Sequence, residues 1–162
     1  MTLTGKLDSA RCSVQFVIGY GHAVMPEAEL VQFPALLEDV APPSLRVYSV
    51  HTVIAEKYEA IVSLGMTNTR LKDYFDLWFL ATYVKIDKAI LHQAIQATFA
   101  RRRTEVLTVL PLGLSNAFAA SPIKQKQWRA VLSKSKLIAP SLAEVLAVVR
   151  RLLGLPDNGA AG

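Results

Sequence analysis

Residues Val53 to Leu80 read VIAEKYEAIVSLGMTNTRLKDYFDLWFL, and the fold turns on how this stretch is read. It holds two apolar segments of helical period, separated at Gly65 and Asn68. At about 100° per residue, Val50, Val53, Ile54, Ala60, Ile61 and Leu64 share one face of the first segment, and Glu56, Glu59 and Ser63 share the other. Lys57 falls inside the apolar face. In the second segment Leu71, Tyr74, Phe75, Leu77, Trp78, Phe79 and Ala81 surround most of the helix, which predicts a buried helix with Lys72, Asp73 and Asp76 confined to one sector.

Carboxylates removed from water need partners, because an unpaired buried charge costs several kcal/mol or neutralises itself. Lys57 and Arg70 are the nearest candidates, so Lys57 is expected within salt-bridge reach of Asp73 or Asp76. Two readings follow: a hairpin stabilised by internal ion pairs, or a functional cluster. The Lys72 to Asp76 spacing has the cation on the N-terminal side, the weaker orientation, worth at most about 0.2 to 0.5 kcal/mol. A lysine on an apolar stripe is also a costly way to build a core.

The chain has 162 residues, 52% hydrophobic and 19% charged, which suits one compact domain with a sizeable core. The short polar start Met1 to Arg11 does not resemble a signal peptide, and no apolar run approaches the roughly 18 residues of a membrane span. A cytoplasmic protein with no membrane partner is expected. Cys12 is the one cysteine and reads as a buried strand residue; His22, His51 and His92 are too scattered to read as a metal site. Up to Ala100 there are 8 Lys and Arg against 10 Asp and Glu, a net of −2; from Arg101 onward there are 10 against 3, a net of +7. That asymmetry fits a surface facing phosphates, and equally a solvated basic face.

Before the central stretch the pattern is that of strands: Ser9 to Ile18, Leu30 to Phe33 and Leu45 to Tyr48, divided by Gly19 to Gly21 and by prolines. After it the pattern is helical. Asp87 is placed to cap a helix through about Arg101; a short segment follows from Ser115 to Ala120. Ser121 and Pro122 open a helix with Trp128, Val131 and Leu132 inward and Lys124, Lys126, Arg129 and Lys134 outward. Ser141 and Glu144 form a capping box for the last helix, which stops at Gly154. The expected class is α+β: a partial mixed sheet over 1–48, a helical portion over 49–155 and a tail over 156–162.

Ala55-Glu56-Lys57 followed by Arg70-Leu71-Lys72-Asp73-Tyr74-Phe75-Asp76 resembles the C-terminal signature of the AbiEii/AbiGii-type nucleotidyltransferase toxins, an A-E-K helix and then an R-x-K-D-x-x-D helix. Phe99, Arg102 and Thr104 stand where that family has F-x-x-R-x-T, and Lys124, Gln125, Gln127 and Trp128 where it has K-Q-x-Q-W. The strand written approximately Q-x-D-x-G-F-G-D-A-V in the family is here Gln15 to Val24, with Val17 and His22 in place of its aspartates. No Gly-Ser or Gly-Gly turn with a D-x-D pair precedes it.

The resemblance implies a nucleotidyltransferase that moves a nucleotide from an NTP to RNA such as the tRNA acceptor end, with Mg²⁺ and a cognate antitoxin as further partners. It implies Lys57 and Arg70 as nucleotide contacts and Asp73 as a residue that holds or orients active-site cations, with Lys57 and Asp73 counted as catalytic. Lys72 and Asp76 are supports, and Arg101, Arg102, Lys124, Lys126 and Arg129 are RNA contacts. With Val17 in place of a carboxylate and the D-x-D pair missing, the chain is expected to be inactive alone and to bind Mg²⁺ and NTP unproductively. A missing N-terminal half would dock on an apolar edge near Met1 to Leu7. A non-catalytic nucleic-acid-binding module and a functionless gene remnant are the alternatives.

Overall fold

The computed structural model describes residues 1–15, 23–35, 37–106 and 109–156. Four strands lead the chain: β1 (Thr2–Leu7), β2 (Ala10–Gln15), β3 (Glu29–Gln32) and β4 (Ser44–Val47). Six α-helices follow among these residues: α1 (Val50–Leu64), α2 (Leu71–Tyr83), α3 (Lys88–Arg102), α4 (Asn116–Ala120), α5 (Pro122–Ser135) and α6 (Leu142–Leu153). The class is α+β, as the sequence implies.

The strands pair as two antiparallel hairpins, β1 with β2 from Thr2↔Gln15 to Leu7↔Ala10, and β3 with β4 from Glu29↔Val47 to Gln32↔Ser44. The expected mixed sheet is thus seen among the described residues as two separate two-stranded sheets. The segment Met1 to Arg11, where the sequence pattern marks no strand before Ser9, contains β1. Its alternation is masked by threonines, and Asp8 turns the chain with a left-handed φ of 52°. Cys12 is exposed rather than buried, because no described helix covers this hairpin, and Leu3, Val14, Leu30 and Leu45 are exposed with it.

The core lies within the helices. α1 packs on α3, where the Tyr58 and Phe99 rings meet at 5.2 Å; α2 packs on α6, and Tyr74 stacks on Phe118 of α4 at 5.2 Å. Burial of side chains this size contributes about 1.5 to 3 kcal/mol each. The buried face of α1 comprises Thr52, Ile54, Ala55, Tyr58, Glu59 and Ile61, about a third of a turn from the face the wheel suggests. Tyr58 draws α1 toward Phe99, so Val53, Lys57 and Ala60 are left half-buried and Leu64 exposed. α2 is likewise only partly buried: Leu71, Asp73, Tyr74 and Leu77 face inward while Phe79 is 45% exposed.

The caps expected at Asp87 and at Ser141 with Glu144 are present, Ser49 adds one that the sequence pattern does not mark, and Ser121 precedes Pro122 at the start of α5 without a side-chain capping bond. Ser49 accepts from Thr52 N, Asp87 from Ala89 N and Ile90 N, and Ser141 and Glu144 form the reciprocal capping box. Thr52 also fastens the strand region to α1. Its hydroxyl donates to Met25 O at 2.8 Å and accepts from Met25 N at 3.1 Å. The segment around Met25 is thereby held at the first turn of α1, about 7 to 8 Å of helix from Lys57.

Candidate functional site

The turn between α1 and α2 fixes the geometry of the cluster. Asn68 is fully buried; its side-chain oxygen accepts from Arg70 N at 2.8 Å, an Asx turn that starts α2. Its carbonyl accepts from the Lys124 ammonium at 2.7 Å. Tyr74 donates to Gly113 O at 3.1 Å, and Gly113 lies so close to α1 that a Cβ there would sit 2.9 Å from both Ile61 Cγ2 and Ile61 O. Arg150, buried on α6, donates to Leu114 O at 2.8 Å and so holds the same loop from behind.

On this frame Lys57 reaches across to α2. Its ammonium donates to Asp73 Oδ1 at 2.6 Å and to Asp76 Oδ2 at 2.8 Å. Arg70 Nε stands 2.8 Å from Asp73 Oδ2 as an ion pair without hydrogen-bond alignment, and Lys72 Nζ donates to Asp76 Oδ1 at 2.7 Å. The side chains of Lys57 and Asp73 are 18% and 9% exposed, so the pairing is screened little by solvent. Burial lowers the Lys57 pKa, but hydrogen bonds and charge from Asp73 and Asp76 outweigh it, so the net shift is upward. The expected reach between Lys57 and both aspartates is present.

A second carboxylate cluster was hidden in the sequence. Glu59, placed by the wheel on the polar face, is 5% exposed. Its Oε1 accepts from Ser63 Oγ at 2.5 Å and from Thr104 Oγ1 at 2.7 Å, and Oε2 lies 3.4 Å from Arg102 Nε. Arg102 and Thr104 are the polar members of the F-x-x-R-x-T match, so that motif clamps the end of α3 onto α1. The sequence held only a local trace of it, the carboxylate and serine at i, i+4 on α1; the arginine and threonine arrive from the far end of α3.

Two hollows flank Lys57. One, of about 380 Å³, is lined by Val53, Glu56, Lys57, Ala60, Arg70 and Arg102. The other, of about 350 Å³, is lined by Val53, Lys57, Phe75, Asp76, Phe79, Leu80 and Leu137. Both volumes fall within the range of small-ligand sites.

The basic residues divide differently from their sequence assignment. Arg101 and Arg102 end α3, and Lys126 and Arg129 are exposed on α5. Lys124 is corrected: it is 5% exposed, bonded to Asn68 O and 5.1 Å from the Phe118 ring centroid, and so does not join an outward basic face. Within the K-Q-x-Q-W match Gln125 donates to Ala119 O and Trp128 to Pro140 O, which ties α5 to α4 and to the start of α6, while Lys124 alone reaches the turn at Asn68. Val17 and His22 lie outside the described residues.

Among the described residues, no group of three His, Cys, Asp or Glu stands together as a metal site. Asp73 and Asp76 are instead ringed by Lys57, Arg70 and Lys72, so this donor set does not fit a Mg²⁺ cage.

The fold and the site define an α+β protein whose Lys/Asp helix pair sits between a cationic and an apolar hollow. The family described as Nucleotidyl transferase AbiEii toxin, Type IV TA system, matches residues 1–148, and the chain belongs to that family. No curated protein and no solved structure matches it. Among the described residues no helix is long and apolar enough to cross a membrane.

Proposed function

We propose that this chain supplies the nucleotide-phosphate half of an AbiEii-type nucleotidyltransferase toxin that moves a nucleotide from an NTP to RNA. The carrying observation is the Lys57 ammonium, held by Asp73 and Asp76 between two hollows. An ammonium has three N–H donors. Two engage the aspartates, which leaves one for a phosphate oxygen, and the aspartates keep the group charged and aimed. Arg70 and Arg102 line the same hollow and add planar donors suited to phosphate.

Asp73 acts in this reading by orienting Lys57, with Asp76 and Lys72 in support, and not as a metal ligand. The Mg²⁺ ions of nucleotidyl transfer stabilise the attacking and leaving oxygens. They need carboxylates this sequence lacks, since no D-x-D pair occurs in it and Val17 replaces the third acid. In this reading these residues do not transfer a nucleotide by themselves, and act in the cytoplasm together with a segment that carries the D-x-D turn, docked against the exposed hairpin β1–β2. RNA phosphates meet Arg101, Lys126 and Arg129, and a cognate antitoxin restrains the assembled toxin.

A transfer assay tests this. The chain with labelled NTPs, Mg²⁺ and total tRNA is expected to label no RNA, and to do so when a fragment bearing the glycine turn and D-x-D pair is added. Transfer by the chain alone overturns the half-site reading.

A further inference from the structure

Val53 and Lys57, one turn apart on α1, belong to the lining of both hollows and form the ridge between them. The two sides differ in kind. Beyond the ridge one way stand Arg70, Arg102 and Glu56; the other way stand Phe75, Phe79, Leu80 and Leu137. A ligand that fills both is anionic at one end and apolar at the other.

We infer that the hollow of Phe75 and Phe79 is the base subsite of the bound nucleotide, and that it holds the base by stacking and not by reading its edge. The inference rests on the phosphate role proposed above for Lys57.

Phe79 is 45% exposed, yet it is not loose: its ring packs 6.2 Å from Phe75 and 4.8 Å from Tyr83, and Phe75 in turn lies 5.6 Å from Trp78. A braced aromatic face open to water beside a cationic hollow offers a platform to a flat ring. Of the side chains in the described lining, Lys57 and Asp76 carry polar atoms, and these are bonded to each other, with the second Asp76 oxygen on Lys72. The third Lys57 N–H is the one assigned above to phosphate, and both Asp76 oxygens already accept from an ammonium, so no neutral hydrogen-bonding side chain stands in the described lining to read a base edge. Affinity then follows stacking area. Purines bind more tightly than pyrimidines, and adenine and guanine are not distinguished.

The test is calorimetric titration of the full chain with ATP, GTP, CTP, UTP and inorganic tripolyphosphate. ATP and GTP are expected to bind alike and roughly five- to a hundredfold more tightly than tripolyphosphate, with CTP and UTP between. Phe79→Ala should bring ATP to the tripolyphosphate level while tripolyphosphate affinity stays unchanged, and Phe79→Trp should keep or tighten ATP binding. ATP binding no tighter than tripolyphosphate, or Phe79→Ala weakening both ligands equally, overturns the base subsite while leaving the phosphate role standing. If neither ligand binds, both readings fall. If Phe79→Ala changes no affinity, the aromatic face belongs to a different partner.

Discussion

The Lys57 ammonium of α1 lies 2.6 Å from Asp73 Oδ1 of α2, and Asp76 closes on the same nitrogen at 2.8 Å. Each aspartate also has a cation of its own, Arg70 for Asp73 and Lys72 for Asp76. The network is redundant, so loss of one member strands no buried charge completely. Asp73→Ala leaves Lys57 with Asp76, and Lys57→Met leaves both aspartates partnered. Each single change is expected to cost less than the roughly 3 to 5 kcal/mol of breaking an isolated buried pair. The double change Asp73→Ala with Asp76→Ala strands Lys57 and should cost more than the sum of the singles. Adding Lys57→Met to that double variant should restore stability; urea midpoints of the three singles, the double and the triple read it.

Alkaline pH tests the same network. The folded-state pKa of Lys57 is above its ordinary 10.5, so its contribution is complete below that value and is lost as pH rises through the higher folded value. Burial also raises the pKa of Tyr58 and of Tyr74 above their ordinary 10.0, which has the same sign. Stability measured by urea unfolding should therefore be flat through neutral pH as far as these groups are concerned, and fall above about pH 10. Lys57→Met should remove the lysine share of that fall and leave the tyrosine share.

Gly113 tests the frame. A Cβ there meets backbone and side chain of Ile61 at 2.9 Å, so Gly113→Ala should cost about 1 to 3 kcal/mol and displace the Tyr74 hydrogen bond. Gly154 meets nothing within 4 Å, and Gly154→Ala should cost only its left-handed backbone, about 1 kcal/mol. Paired thermal melts separate crowding from strain.

Lys124 and Lys126 are two residues apart and should behave as opposites. Lys124→Met removes the donor to Asn68 O and should destabilise the chain without changing the salt dependence of RNA binding. Lys126→Met and Arg129→Met should leave stability alone and each reduce the slope of log affinity against log salt by about one. Filter binding across a salt series decides it.

The helical half was legible because its signals are local. Asp87, Ser141 with Glu144, and Pro122 mark helix starts by chemistry that acts within a few residues, and the structure places the helices there. Lys57 among apolar neighbours was legible as an anomaly requiring a partner. Glu59 and Lys124 were not, because each is buried by a residue distant in the chain, Thr104 and Arg102 for one and the Asn68 carbonyl for the other. A helical wheel carries no information on which neighbour arrives. β1 escaped because threonine and glycine blurred its alternation, and Cys12 was misjudged because strand pattern predicts a face but not what covers it.

The central claim is that Lys57 is a phosphate contact, and the direct measurement is titration of inorganic tripolyphosphate into wild-type chain and Lys57→Met at low salt. The account predicts saturable binding to the wild type, weakened by about tenfold or more in the variant at unchanged helical content, since a charge-assisted hydrogen bond is lost. Equal affinity of the two proteins would contradict it, and would leave the contacts with Asp73 and Asp76 as structural ion pairs.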